Sequence, residues 1–293
     1  MPIHFKLILT ALLWGGTFIA GRVLAPLMAP TLIASGRYAI AVVLLMLVAW
    51  RLEGGLPRLN RQQILTTFGL GLTGIFLYNI TFLMALANMP AGRTALFAAL
   101  NPIITALLCV IFFRERLSAT GWAGIALALC GAGVIATKGD FSALFSNDGQ
   151  VLGVGEWSMI CAATCWAVYT VLGRHALKGL SPIASTTYAA LWGLALLLVA
   201  SFVIPHGAVE MAVSWPAVVA LLYLGVFGTV VAFVWYYQGV KAIGPARTAV
   251  FNNLIPAFGV LLGTVLLGEQ LYISMLIGGA LVISGVALTN RSR

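Results

Sequence analysis

Ten apolar runs follow one another along the chain, at about 5–24, 31–50, 64–86, 92–113, 119–137, 152–174, 182–204, 215–240, 246–267 and 272–289. Each is close to the length that crosses ~30 Å of hydrocarbon at ~1.5 Å per residue. Inside lipid the backbone has to satisfy its own hydrogen bonds, so the runs predict helices. A membrane barrel would instead need ~10-residue segments of alternating polarity, and these are absent. Composition agrees, because 61% of the 293 residues are hydrophobic and only 8% are charged, against roughly 25% charged in soluble domains. The predicted fold is all-α and integral to the membrane, with ten transmembrane helices. The opening "MPIHFKLILTALLWGGTFIAG" is read as a retained first helix, since its apolar stretch is nearly long enough to span and no cleavage site follows a short core.

Charge sets the orientation. With the N-terminus in the cytoplasm, twelve of the sixteen lysines and arginines fall on the cytoplasmic side. Four (Arg22, Arg37, Arg93 and Lys138) fall outside, the bias expected of a membrane protein with both termini inside. The net charge of +9 is explained by this bias. No basic run with interleaved aromatics points to nucleic acid. Cys109, Cys130, Cys161 and Cys165 lie in apolar runs and read as small buried hydrophobes, with neither disulfide nor zinc spacing.

The chain repeats itself. "GRTALFAALNP" (92–102) and "ARTAVFNNLIP" (246–256) agree at six of eleven positions, at an offset of 154. Gly71, Gly74, Glu115, Leu117, Gly124 and Gly131 recur as Gly225, Gly228, Glu269, Leu271, Gly278 and Gly285. Trp14, Gly21, Arg22 and Pro30 recur as Trp166, Gly173, Arg174 and Pro182 at an offset of 152. The expected organisation is a first five-helix repeat over 1–137, an external linker over 138–151, and a second repeat over 152–293. Five is odd, so the second copy enters the membrane from the opposite side. Inverted repeats of this kind recur in transporters that work by alternating access around a midplane site.

Ten helices arranged as five and five, the "W…G" opening of each half, the "A-R-T-A…N-P" phrase and a glutamate closing helices 4 and 9 resemble the EamA group of the drug/metabolite transporter superfamily. Within it, "LWGGTFIAGR" and "YNITFLMAL" look most like the YddG-type (aromatic) amino acid exporters. The resemblance implies helices packed around a central cavity, a bacterial inner-membrane location and export of small metabolites. It implies neutral and aromatic amino acids as cargo, with efflux of drugs or other metabolites as the alternative.

Several residues could line such a path. Trp14, Tyr78, Asn79, Phe82, Trp166 and Tyr169 combine rings with polar tips at depth in helices 1, 3 and 6, as a pocket for amphipathic solutes requires. Pro102 and Pro256, ten residues into helices 4 and 9, predict kinks that free the carbonyls four residues earlier. Asn101 and Asn252 stand beside those kinks. They either offer donors and acceptors to a zwitterion or satisfy the opened backbone. Arg93 and Arg247 begin the same two helices at opposite mouths, where cation and helix N-terminus together favour an anion; snorkelling to headgroup phosphate is the competing reading. Glu115 and Glu269 read as structural helix-end charges. Trp50, Trp122, Trp157 and Trp215 read as interfacial belt.

No Asp, Glu or His lies in the middle of a run, which argues against proton coupling through a buried carboxylate. "GLGLTG" (69–74) sits in a helix and reads as close helix packing, as does "GVLLG" (259–263). No P-loop, zinc-protease or nucleophile-elbow motif appears. The expectations are no enzymatic activity, no cofactor and no metal. The expected partners are small-molecule substrates and the lipid bilayer, with a single chain sufficient for a complete pathway.

Overall fold

A computed structural model of the chain describes residues 1–98, 100–101, 103–104, 107–108, 118–136, 152–176, 179–203, 214–243 and 251–291. Pro102, Arg247, Glu115 and Cys109 lie outside the described residues.

Those residues are helical with short joints. We number the helices α1 (Ile3–Leu24), α2 (Pro30–Glu53), α3 (Arg61–Asn88), α4 (from Ala91–Ala98), α5 (Ala119–Ala136), α6 (Val154–Ala176), α7 (Pro182–Val203), α8 (215–243), α9 (Ile255–Leu267, entered through a 3-10 turn at Phe251–Leu254) and α10 (Ile273–Arg291). Five of them, among the described residues, are long and apolar enough to cross a membrane. Their outer faces carry bare hydrophobes such as Phe202 (89% exposed) and Val203 (73%), which suit hydrocarbon rather than water. Trp50, Trp122, Trp157 and Trp215 are exposed, as their places near helix ends predict.

Local chemistry fixes the ends. The Asn60 side chain accepts from the Gln63 amide and the Gln63 side chain accepts from the Asn60 amide, a reciprocal cap that starts α3. Pro30 opens α2, where a missing N–H is harmless. Gly54 (φ 72°) and Gly268 (φ 65°) close α2 and α9 in the left-handed region that glycine adopts freely. Arg22 donates to the Leu86 and Ala87 carbonyls at the end of α3, where free carbonyls attract a cation.

Two features depart from plain α-helix. Gly71–Leu77 within α3 and Tyr223–Val231 within α8 are π-helical, and the second covers the positions 154 residues after the first. Wide turns of this kind concentrate at functional sites. Glycines in both permit close packing. A Cβ at Gly71 would lie 2.6 Å from Trp192 Cβ, and one at Gly225 would lie 2.8 Å from Ile40 Cγ2. Gly74 lies under Tyr169, and Gly228 under Thr17. Farther along, Gly131 meets Gly278 and Val282, and Gly285 meets Gly124 and Ala128. Each pair of contacts converts into the other when its two residues shift by 152 or 154. The glycines of 69–74 and 259–263 therefore serve packing: Gly259 also lies against Ala95 and Gly263 against Gly92.

Three expectations are corrected. Pro256 does not kink the middle of a described helix; it stands in the first turn of α9 after the 3-10 turn, where its missing N–H would be unpaired in any case. Cys130 and Cys161 are exposed rather than buried, and Cys165 is half-buried; on apolar helices such thiols face the lipid side without cost. Arg37 is not a flanking charge. It lies seven residues, about 10 Å, beyond the start of α2 and is only 6% exposed.

Candidate functional site

The helices bring Trp14, Tyr78, Phe82, Trp166 and Tyr169 into one aromatic row. Phe82 meets Phe18 edge to face at 5.2 Å and stacks on Tyr78 at 5.6 Å, with the rings 8° from parallel. Tyr78 reaches Trp166 at 5.2 Å, and Trp166 reaches Tyr169 at 5.3 Å. Phe233 joins the two halves of the row, 6.5 Å from Trp166 and 5.5 Å from Trp14. Tyr236 closes it on Trp14 at 5.3 Å. Offset and edge contacts at these distances are favourable by about 0.5–1.5 kcal/mol per pair. The row draws on α1, α3, α6 and α8. Sequence reasoning missed Phe233 and Tyr236, although Phe233 stands 154 residues after Asn79 and so occupies its repeat position.

The row is anchored by the π segments. The Trp14 indole donates to the Gly228 carbonyl at 3.1 Å, inside the second π segment. Its indole nitrogen is therefore occupied and its ring held in orientation. Tyr223, at the start of that segment, donates to the Leu13 carbonyl at 2.8 Å.

Asn79 is completely buried and bonded on both sides. Its Nδ2 donates to the Ile75 carbonyl at 2.7 Å and to the Tyr38 hydroxyl at 3.3 Å, while its Oδ1 accepts from Arg37 Nη1 at 3.1 Å. Arg37 Nε donates to Thr229 Oγ1 at 2.9 Å, and Thr229 passes its own proton to the Leu224 carbonyl at 2.8 Å. Asn79 is thus a positioning residue for Arg37. The guanidinium is held by Thr229 of the second π segment and by Asn79, two residues past the first, whose amide is fixed by the Ile75 carbonyl within it. Its depth beyond the start of the second apolar run was the available signal, masked because the arginine was counted with the flanking charges.

At the end of the bundle where α4 and α6 begin, the mouth arginine has a protein partner. Arg93 pairs with Glu156 at 2.8 Å, with both side chains largely buried. The other oxygen of Glu156 accepts from the Gly153 amide at 2.9 Å. The α4 N-terminus is occupied as well. Glu269, from the far end of α9, accepts from the Ala91 and Gly92 amides at 2.7 and 2.9 Å. The anions that this mouth attracts are two of the chain's own carboxylates, and Glu269 is a structural cap. Asn101 is half-buried on the continuation of α4, and Asn252 is half-buried in the 3-10 turn before α9. Neither belongs to the aromatic row. Among the described residues no cluster of His, Cys, Asp or Glu could hold a metal ion.

The architecture has relatives. A solved crystal structure, 21% identical, superposes with a TM-score of 0.70 over 98% of this chain and 94% of its own. The chain is 26% identical to "Uncharacterized transporter YyaM" of Bacillus subtilis over 98% of its length and 92% of that protein's. It is 28% identical to the "Probable terminal-alkyne amino-acid exporter" of Streptantibioticus cattleyicolor, over 98% and 93% respectively. The profile of the EamA-like transporter family matches twice, at residues 1–137 and 153–291. These two matches take in both the aromatic row and the arginine behind it, and by them the chain belongs to the EamA-like transporter family, a membrane-embedded transporter and not an enzyme.

Proposed function

We propose that this chain is a secondary transporter that exports amino acids, chiefly neutral and aromatic ones and with broad specificity, across the bacterial inner membrane by alternating access. The observation that carries this reading is the aromatic row running from Phe18 to Tyr236. Flat rings with polar tips accept an aromatic side chain and leave its charged end to polar neighbours. The exporter from Streptantibioticus cattleyicolor supports the same class of cargo.

The architecture that goes with this function is two inverted five-helix repeats around a central cavity, with both termini cytoplasmic. The exchanged glycine contacts support the repeat, since an internal two-fold relation would generate such pairs. In this orientation α4 and α6 begin on the outer side, so Arg93, Glu156 and Glu269 close the outer mouth. Asn101 and Asn252 flank the path on α4 and α9, and their replacement by leucine alters substrate preference.

The test is counter-transport of labelled amino acids by the purified full-length chain in proteoliposomes. Exchange of phenylalanine or tryptophan is expected. Flux of flat apolar drugs without any amino acid exchange would transfer the assignment to drug or metabolite efflux, which the same rings could also serve. Uptake driven by an imposed proton gradient alone, and abolished by a protonophore, would replace facilitated export by proton coupling.

A further inference from the structure

Arg37 is a cation in an apolar bundle, and among the described residues its cradle holds no counter-charge. The chain has seven acidic residues. The three that the structure describes are engaged elsewhere: Glu53 accepts from Ser181, Glu156 faces Arg93, and Glu269 caps α4. Arg37 has only neutral partners among the described residues: Thr229, Asn79 and the ring of Tyr38, 5.4 Å from its central carbon. Burying an ion without an opposite charge is strongly unfavourable. Two helices nevertheless orient acceptors toward it, and the guanidinium fork suits bidentate binding of a carboxylate.

Its position ties it to the aromatic row. Asn79 adjoins Tyr78 on α3. Thr229 adjoins Gly228, whose carbonyl holds the Trp14 indole. Two of the residues that hold the arginine are thus chain neighbours of a ring of the row and of the carbonyl that anchors another.

We infer that Arg37 is the anion-binding point of the carrier and receives the carboxylate of the cargo while the aromatic row holds its ring. This rests on the reading of the row as the cargo path, and it narrows the substrate class to molecules that carry an acidic group. An aromatic amine without a carboxylate is a poor cargo, and an aromatic acid without an amine is an acceptable one. Asn79 and Thr229 position the guanidinium and touch no cargo.

The experiment compares phenylalanine, phenylalaninamide and 3-phenylpropionate as competitors and as counter-substrates for the full-length chain in proteoliposomes. The wild type is expected to prefer both acids to the amide. Removing a charge-assisted bond of this kind, as in Arg37→Gln, is expected to weaken both acids roughly 10- to 100-fold while changing the amide little. Arg37→Lys should retain part of the preference, and Thr229→Ala should reduce it with ring selectivity unchanged. A wild type that handles phenylalanine and its amide equally would overturn the inference without any variant having to fold. So would an Arg37→Gln protein, monodisperse and correctly inserted, that loses acid and amide in the same proportion. If phenylalanine is not carried but 3-phenylpropionate is, and Arg37→Gln abolishes it, the amino acid reading fails and the anion site stands.

Discussion

The two copies of the repeated phrase begin alike but have different residues at the positions that could clasp them. At the start of α4, Arg93 meets Glu156, and Glu269 takes the amides of Ala91 and Gly92. The matching positions of the second copy, at the sequence offsets of 152 and 154, hold His4 for Glu156, Glu115 for Glu269 and Pro245 for Ala91. A histidine offers Arg247 no carboxylate, and a proline has no N–H to give. His4 lies instead against the Phe251 ring, with centroids 6.0 Å apart. One mouth thus has two carboxylate clasps, and the other has the residues for one at most. In a carrier that exchanges two conformations, unequal clasps bias the resting population toward closure of the better-held mouth. With the proposed orientation that mouth is the outer one, which suits an exporter loading from the cytoplasm.

The strongest way to break this comparison is at the buried ion pair. Arg93→Gln or Glu156→Gln alone leaves a charge without its partner and should destabilise the closed state by about 3–5 kcal/mol. The double replacement should recover much of that. Thermal unfolding of all four proteins measures it, and additive single effects would show that the pair is not coupled. Next, Glu269→Gln keeps one acceptor for two amides and should cost about 1–2 kcal/mol. It should also raise labelling of an engineered cysteine beside Gly92 from the outer face, and unchanged labelling would remove Glu269 from the clasp. A smaller effect of opposite sense is expected from His4→Glu, which supplies the second copy with its missing acid. A partly exposed pair is worth up to about 1 kcal/mol, so the resting population should move toward inner closure by at most a few-fold.

The smallest effect concerns the glycines seven residues after Trp14 and Trp166. Gly21 and Gly173 match in sequence, but a Cβ at Gly21 would press on the end of the Leu86 side chain, while one at Gly173 would meet nothing within 4 Å. Gly21→Ala should lower stability by about 1 kcal/mol and Gly173→Ala by less than about 0.5 kcal/mol. Equal costs would mean that the two halves pack more alike than these contacts imply.

What could be read without the structure followed the physics of lipid. Run length placed several helices to within a few residues, as for 182–204 against Pro182–Val203, while the run 246–267 meets a described α-helix only from Ile255. Helix-face spacing found Tyr78, Phe82, Trp166 and Tyr169 as companions. The π segments were not legible, because a shift of hydrogen-bond register leaves no mark in composition. Asn79 read as a pocket residue because it lies beside Tyr78 and Phe82; its bonds to Arg37 and Tyr38 were not legible because those partners come from α2, about forty residues earlier. Arg93 read as a mouth cation awaiting an anion or a headgroup, and its pairing with Glu156 was not legible because sequence spacing does not show that α4 and α6 begin side by side.

Arg37 belongs to one half only. The positions 152 residues after Arg37 and Tyr38 are Ala189 and Ala190, both fully buried. With the anion site proposed at Arg37, a bundle of two repeats would contain a site with a head and a tail. Cargo held by its acid at α2 keeps one bearing relative to the membrane through the whole cycle, and a molecule with an acid at each end gains a grip at only one of them.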